Sequence, residues 1–262
     1  MTTAPPTPLA CVRDLVVVYG QEGRGASAPV HALRGVSLTV MPRETIGLVG
    51  ESGSGKTTLG RALLGLVRPT SGEVLFEGRP LTARGARRRR KGRMQVVLQN
   101  PDWSLNPSLP VWRSVAEPLT IAGRRSTRER RAAVDEMLAL VGLDAAFAER
   151  RPHELSGGQR QRVAIARAMI TQPSLIVFDE AVTALDASVQ TQVLNLIRDL
   201  QDERGFGALF ISHDLAAVRY VSHHIAVAYQ GELVELGPVE RFYGELEHPY
   251  SRRLLGTLPR IW

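Results

Sequence analysis

TIGLVGESGSGKTTLGRALLGL (residues 45–66) joins a short apolar run to a helical pattern through a glycine-rich turn. TIGLVG (45–50) ends in glycine, as a buried parallel strand does. KTTLGRALLGL (56–66) has helical periodicity and is expected to run until Pro69 stops it. Between them GESGSGKT (50–57) fits G-x-x-x-x-G-K-[ST] in full, in the strand-to-helix setting that gives this motif meaning. Gly50, Gly53 and Gly55 let the backbone curl so that successive N–H groups face inward around a phosphate chain. The helix beginning near Lys56 adds its positive end. Lys56 is placed to reach the β- and γ-phosphates of a nucleotide, and Thr57 to offer a hydroxyl to Mg²⁺. A merely flexible glycine loop is the competing reading, and the flanking strand and helix argue against it.

LIVFDE (175–180) supplies a second part of such a site. An apolar strand ending in two carboxylates carries both to the C-terminal edge of a sheet, beside the loop after TIGLVG. Asp179 would then hold Mg²⁺ through water. Glu180 would polarise an attacking water as general base, a role typically worth ~10²–10⁴ in rate.

The rest of the chain alternates in the same manner. LVVVYG (15–20) and VSLTV (36–40) read as a hairpin-like pair across a Gly/Ser/Ala/Pro-rich loop at 20–29. EVLFEG (73–78) and RMQVVLQ (93–99) are two further strands. PDWSLNPSLP is a proline-rich loop, followed by helical patterns at 111–121, 127–141 and 159–171. VQTQVLNLIRDLQDE (189–203) is an amphipathic helix and GALFISHD (207–214) a strand with a polar tip. Strand–helix alternation predicts a mostly parallel α/β sheet, with an antiparallel cluster at the start and a helical insertion over about 101–165.

Composition narrows the setting. The 262 residues are 44% hydrophobic, enough for a substantial core. No run approaches 18 apolar residues, so no membrane span is expected. MTTAPPTPLACVRD has no basic segment followed by an apolar one, so no secretory signal is expected. A single cysteine, Cys11, excludes an internal disulfide and a thiolate cluster built by this chain alone. These features point to the cytoplasm. The net charge of +7 is almost wholly arginine, Lys56 and Lys91 being the only lysines. The basic runs RGARRRRKGR (84–93) and RRSTRERR (124–131) fit either attraction to an anionic partner or a solvated arginine-rich surface, the second being the commoner case.

GESGSGKT, LSGGQ (155–159), LIVFDE and ISHD (211–214), in that order and spacing, resemble the nucleotide-binding subunits of ABC transporters over nearly the whole chain. The resemblance implies a P-loop NTPase of the α/β class. It would have a RecA-like, mostly parallel sheet, an N-terminal antiparallel β-subdomain and an inserted α-helical subdomain. All of 1–262 would be one ABC ATPase domain, with its core at 1–100 and 166–262 and its helical part at about 101–165. Implied ATP contacts are Tyr19, stacking on adenine, then Gly50, Glu51, Ser52, Gly53, Ser54, Gly55, Lys56, Thr57 and Thr58, together with Gln99 and His213. Glu180, His213, Gln99 and Lys56 form the implied catalytic set, and Thr57, Gln99 and Asp179 the Mg²⁺ set. Ser156, Gly157, Gly158 and Gln159 would act in trans on the ATP of a second ATPase subunit, with Asp186 in the loop that crosses to it. Three of these residues also admit plainer readings: Tyr19 as a strand-end core aromatic, His213 as a helix cap, Gln99 as surface polarity.

LQNPDWSLNPSLPVWRSVAEPL (98–119), DEAVTALD (179–186) and HPYSRRLL (248–255) narrow the resemblance to the peptide and nickel importer branch. Leu98 replaces the more usual phenylalanine, a small apolar change. HPYSRRLL taken alone also fits the start of a surface helix. The branch implies a different, homologous ATPase partner, two transmembrane permeases and an extracytoplasmic solute-binding protein. The chain would then sit peripherally on the cytoplasmic face of the membrane. Some members carry a cysteine cluster for iron–sulfur in their tail. The segment to Trp262 has no cysteine, so no such cluster is expected. An exporter ATPase and a nucleic-acid-acting ABC ATPase are the rival readings. The compact spacing from Gly50 to Leu155 and the single ATPase unit argue against nucleic acid.

Overall fold

A computed structural model of the chain describes residues 7–20, 28–123, 126–244 and 246–255. Most of the glycine-rich loop expected at 20–29, Arg124, Arg125 and the tail to Trp262 lie outside the described residues. In chain order the elements are β1 (Ala10–Tyr19), β2 (Val30–Val40), β3 (Thr45–Val49), α1 (Lys56–Leu63), β4 (Ser71–Phe76) and β5 (Arg79–Pro80). They continue with α2 (Ala86–Arg90), β6 (Met94–Leu98), α3 (Val111–Ile121), α4 (Thr127–Leu140), α5 (Gly157–Met169) and β7 (Leu175–Asp179). The last are α6 (Ala187–Arg204), β8 (Gly207–Ile211), α7 (Leu215–Val221), β9 (His224–Tyr229), β10 (Glu232–Pro238) and α8 (Pro249–Leu255).

The chain divides into two compact units, residues 1–87 with 207–262, and residues 88–206. In the first unit an antiparallel sheet has the order β2-β1-β4-β5. The expected hairpin of β1 and β2 is present, with Ala10 opposite Val40 and Tyr19 opposite Val30. Alternate residues of β1 point inward on each side of a bulge between Val12 and Leu15: Ala10 and Val12, then Leu15 and Val17, are buried. The same unit holds β3 between β8 and β9, parallel to both, with β10 antiparallel on β9. β3 is buried along its whole length, which matches its unbroken apolar sequence.

The second unit pairs β6 with β7 in parallel. Around them, helices α3, α4 and α5 turn apolar faces inward, with Val115, Leu138 and Val163 fully buried. Phe178 of β7 and Phe206 pack with ring centroids 6.4 Å apart. Trp112 of α3 lies between the guanidinium groups of Arg113 and Arg131, at 5.4 and 5.5 Å. Arg131 also pairs with Asp135 and Glu149, and Arg130 donates to Thr120 Oγ1. Arg130 and Arg131 of the second basic run are therefore engaged in holding their own helices together. The first basic run contains the short helix α2.

Several helix boundaries differ from expectation by a few residues, α6 for instance starting at Ala187 rather than 189, and two of them have a clear local cause. α1 stops at Leu63, well before Pro69, because Gly65 adopts φ 67° and closes a left-handed cap. The Gly65 amide donates to the Ala62 carbonyl and the Leu66 amide to that of Arg61. α5 begins at Gly157 rather than 159. Ser156 and Gln159 form a reciprocal capping box that starts the helix two residues earlier, an S-x-x-Q signal present in the sequence. The β9–β10 hairpin and β5 were not anticipated from sequence. AVAYQGELVEL lacks a two-residue Asn-Gly or Asp-Gly turn, and Gln230 itself takes φ 48° there beside Gly231.

Candidate active site

The phosphate-loop residues follow β3 directly. Gly50 and Ser54 are buried, while Glu51, Ser52 and Gly53 are exposed. Gly55 occupies the N-cap of α1 with φ 102° and offers no side chain to the first-turn amides. A Cβ there would lie 2.5 Å from the Ala32 carbonyl oxygen, so the cradle is closed to any larger residue. No acidic side chain sits in the first turn of α1, so its positive end is uncompensated from within the helix. Lys56 is buried at 7% exposure, and its ammonium donates to the carbonyls of Gly50 (2.8 Å) and Glu51 (2.7 Å). A buried ammonium needs such acceptors. Those same contacts fold it back over the loop, where an anion would sit. Glycine amides, an uncapped helix start and a buried lysine together form a donor set suited to polyphosphate.

Tyr19 ends β1 and is 41% exposed, which removes the core-aromatic reading. His213 follows β8 and is exposed. It is not the cap of α7: Asp214 is, accepting from the amides of Ala216 (2.9 Å) and Ala217 (3.1 Å). Tyr19, the phosphate loop and His213 all belong to the first unit.

In the second unit, parallel pairing sets Leu98 opposite Asp179, so Gln99 and Glu180 leave neighbouring strand ends together. The Gln99 amide donates to Thr183 Oγ1 at 3.4 Å, and the Thr183 hydroxyl donates to the Glu180 carbonyl at 2.9 Å. Gln99 is thus tied to the carboxylate strand rather than being incidental surface polarity. Thr183 was not singled out from sequence; it emerges only because register places it between the two. Glu180 is half-buried and takes φ 52°, a left-handed conformation that a non-glycine residue adopts only at a cost of about 1–3 kcal/mol.

The signature stretch starts α5 of the same unit. Ser156 Oγ accepts from the Gln159 amide at 3.3 Å, and Gln159 Oε1 accepts from the Ser156 amide at 2.9 Å. Ser156 and Gly157 are exposed. The two glycines have different reasons. A Cβ on Gly158 would meet Val189 Cγ1 at 2.4 Å, so close packing against α6 requires it. A Cβ on Gly157 would meet nothing nearer than Leu185 at 3.9 Å. Asp186 stands at the N-cap of α6, yet its side chain makes no cap hydrogen bond. A cleft of about 390 Å³ runs beside this region, lined among others by Gln99, Asp102, Gly157, Arg160 and Leu185.

No described helix is long and apolar enough to cross a membrane. Among the described residues no cluster of three or more His, Cys, Asp or Glu side chains is arranged to hold a metal alone. The phosphate-loop geometry fits the group that the motifs imply, a nucleotide.

Comparison with known proteins agrees with this geometry. Residues 33–183 match the family model described as ABC transporter. A peptide import ATP-binding protein of Brucella abortus (strain 2308) is 50% identical over 252 residues, covering 95% of this chain and 75% of the relative. The D,D-dipeptide transport ATP-binding protein DdpF of Escherichia coli (strain K12) is 45% identical over 232 residues, covering 88% and 72%. Among solved structures, the dimeric post-hydrolysis state of the ATP-binding cassette MJ0796, bound to ADP and Pi, superposes with a TM-score of 0.77. It is 30% identical and covers 88% of this chain and 98% of that one. A phosphate loop, a carboxylate-ended strand and a capped signature helix, in a fold shared with that cassette, leave one assignment: the chain belongs to the ABC transporter family, as an ATP-binding and ATP-hydrolysing cassette.

Proposed function

We propose that this ATPase is the motor subunit of a peptide importer, taking up di- or oligopeptides or a related small solute such as a nickel chelate. The observation that carries the cassette-pair part of this reading is Gly157: exposed, at a helix start, and without any packing reason in its own fold to be glycine. A close approach from another molecule supplies the missing reason. Two cassettes would face each other head to tail, each lending Ser156, Gly157, Gly158 and Gln159 to the ATP held by the other's phosphate loop. Asp186 would accompany them across. Its side chain, unused as a cap, supports that role. The names of the relatives support the peptide cargo.

Within each site, Tyr19 stacks on the adenine, a contact worth about 1–3 kcal/mol by analogy with base–aromatic pairs. Loop amides that are not already engaged within the fold, together with the Lys56 ammonium, bind the β- and γ-phosphates and favour the charge that builds there during transfer. Glu180 takes a proton from the attacking water, Gln99 orients that water, and His213 donates to the γ-phosphate. Mg²⁺, carried in with ATP, supplies positive charge at the phosphates; Thr57, Gln99 and Asp179 are the residues that would hold it. Loss of the γ-phosphate removes the bridge to the partner's Ser156 and lets the pair open. The cleft beside residues 99–102 and the start of α3 would pass that movement to two permeases, at the cytoplasmic face of the membrane. A second, homologous ATPase and an extracytoplasmic solute-binding protein complete the assembly.

Glu180→Gln is the test. Turnover should fall below detection while ATP binding persists, and ATP should convert the variant into a stable dimer, read by size-exclusion chromatography. A variant that hydrolyses normally, or stays monomeric with ATP, would falsify the general-base and shared-site assignments respectively.

A further inference from the structure

The Gly50–Glu51 peptide is held from both of its ends. Its carbonyl accepts from the Lys56 ammonium at 2.8 Å, and its N–H donates to the Tyr250 hydroxyl at 2.9 Å. Tyr250 lies 199 residues away, at the start of α8, in the HPY stretch that sequence comparison treats only as a branch marker. A peptide next to glycine turns over at little cost, and Gly50 already sits at φ 149°. An outside anchor on its N–H therefore decides where its carbonyl points.

That anchor is built rather than incidental. Tyr250 is only 3% exposed and stacks on Tyr229 of β9 with centroids 4.2 Å apart and planes inclined by 29°. Its own amide donates to His248 Nδ1 at 3.2 Å. The buried carboxylate of Glu235 on β10 accepts from the amides of Glu247 (3.0 Å) and His248 (3.4 Å), fixing the segment that leads into α8. Arg252 closes it from the other side by donating to the carbonyls of Leu246 and Glu247. Burial pushes the Tyr250 hydroxyl above its ordinary range, which favours the neutral, protonated form. Burial pushes the Glu235 carboxyl up as well, but the Glu247 and His248 amides and Arg241 outweigh it and hold the group below its usual value.

We propose that Tyr250 is a positioning residue of the phosphate-binding loop: it orients the Gly50–Glu51 peptide, and through that carbonyl the resting place of the Lys56 ammonium. The proposal rests on the reading of this loop as the phosphate site. A ring alone would fill the same space against Tyr229; only the hydroxyl reaches the loop.

Tyr250→Phe keeps the stack and deletes the anchor. In the full chain, the Kd for ATP should rise about three- to tenfold, the usual worth of one neutral hydrogen bond, with the KM for hydrolysis rising alike and kcat changing less than twofold. In a Lys56→Ala background the same substitution should have little further effect on ATP affinity, because the two groups act on one peptide. Val12→Ala, a cavity in the antiparallel sheet at a residue with no role in the proposed site, serves as the stability control. An unchanged Kd in Tyr250→Phe overturns the proposal, and so does an equal rise in Val12→Ala or a full further rise in the Lys56→Ala background. If Lys56→Ala itself binds and hydrolyses ATP normally, it is the phosphate-site reading that fails.

Discussion

The two helix starts that carry the recognition motifs, α1 and α5, are built in opposite ways. α1 opens on Gly55, a left-handed N-cap without a side chain, and leaves its first amides uncapped by any side chain. α5 opens on Ser156, whose hydroxyl and Gln159 cap one another. Neither first turn contains an acid, whereas α4, which has no recognition motif, carries Glu129 in its capping box. Neither helix thus compensates its positive end with an acid of its own first turn, but Gly55 gives α1 no N-cap side chain whereas Ser156 caps α5. That is the difference expected between a site that binds its own nucleotide and a surface that binds a neighbour's.

The strongest way to break this contrast is Lys56→Ala. It removes the buried ammonium from the open helix start, and hydrolysis should fall roughly 10²–10³-fold, as for loss of a preorganised charge donor. Steady-state ATPase assays read this directly, and a loss under tenfold would contradict the role. Next come the glycines. Gly55→Ala forces a Cβ to 2.5 Å from a backbone oxygen at φ 102°, and should cost about 2–4 kcal/mol of stability in denaturant unfolding. Gly157→Ala meets only Leu185, at an ordinary contact distance of 3.9 Å, and should leave the lone chain unchanged or about 0.5 kcal/mol more stable. The same change should weaken ATP-driven pairing in the Glu180→Gln background. If Gly157→Ala instead destabilises the monomer, its glycine has an intrachain reason and the quaternary reading loses its main support. Ser156→Ala, which deletes one cap acceptor, should lower stability by about 1 kcal/mol. Its larger consequence should be on pairing, and equal effects on both would make Ser156 only a cap.

Much of the site was legible because its signals are local. Strand, glycine loop and helix lie within residues 45–66, and the buried carboxylate strand within 175–180, so spacing alone conveyed their chemistry. The hairpin at the N-terminus and the helices 111–121, 127–141 and 159–171 followed from periodicity, to within a few residues. What escaped was set by partners distant in sequence or by turn conformations that composition only weakly encodes. Thr183 gained its place from the β6–β7 register. The end of α1 was misjudged because proline is a more visible stop than Gly65, although the glycine acts first.

By itself, then, the sequence determined the chemistry this protein brings to a nucleotide and the alternation that makes an α/β fold. Those depend on residue type and short-range spacing. Only the tertiary structure could separate the two signature glycines, because a Cβ on one would clash with Val189 across a helix packing and a Cβ on the other would meet only Leu185 at ordinary contact distance. Only it could bring Tyr250 to the phosphate loop, since a hydrogen bond spanning 199 residues exists once the sheet has closed and has no trace in local pattern.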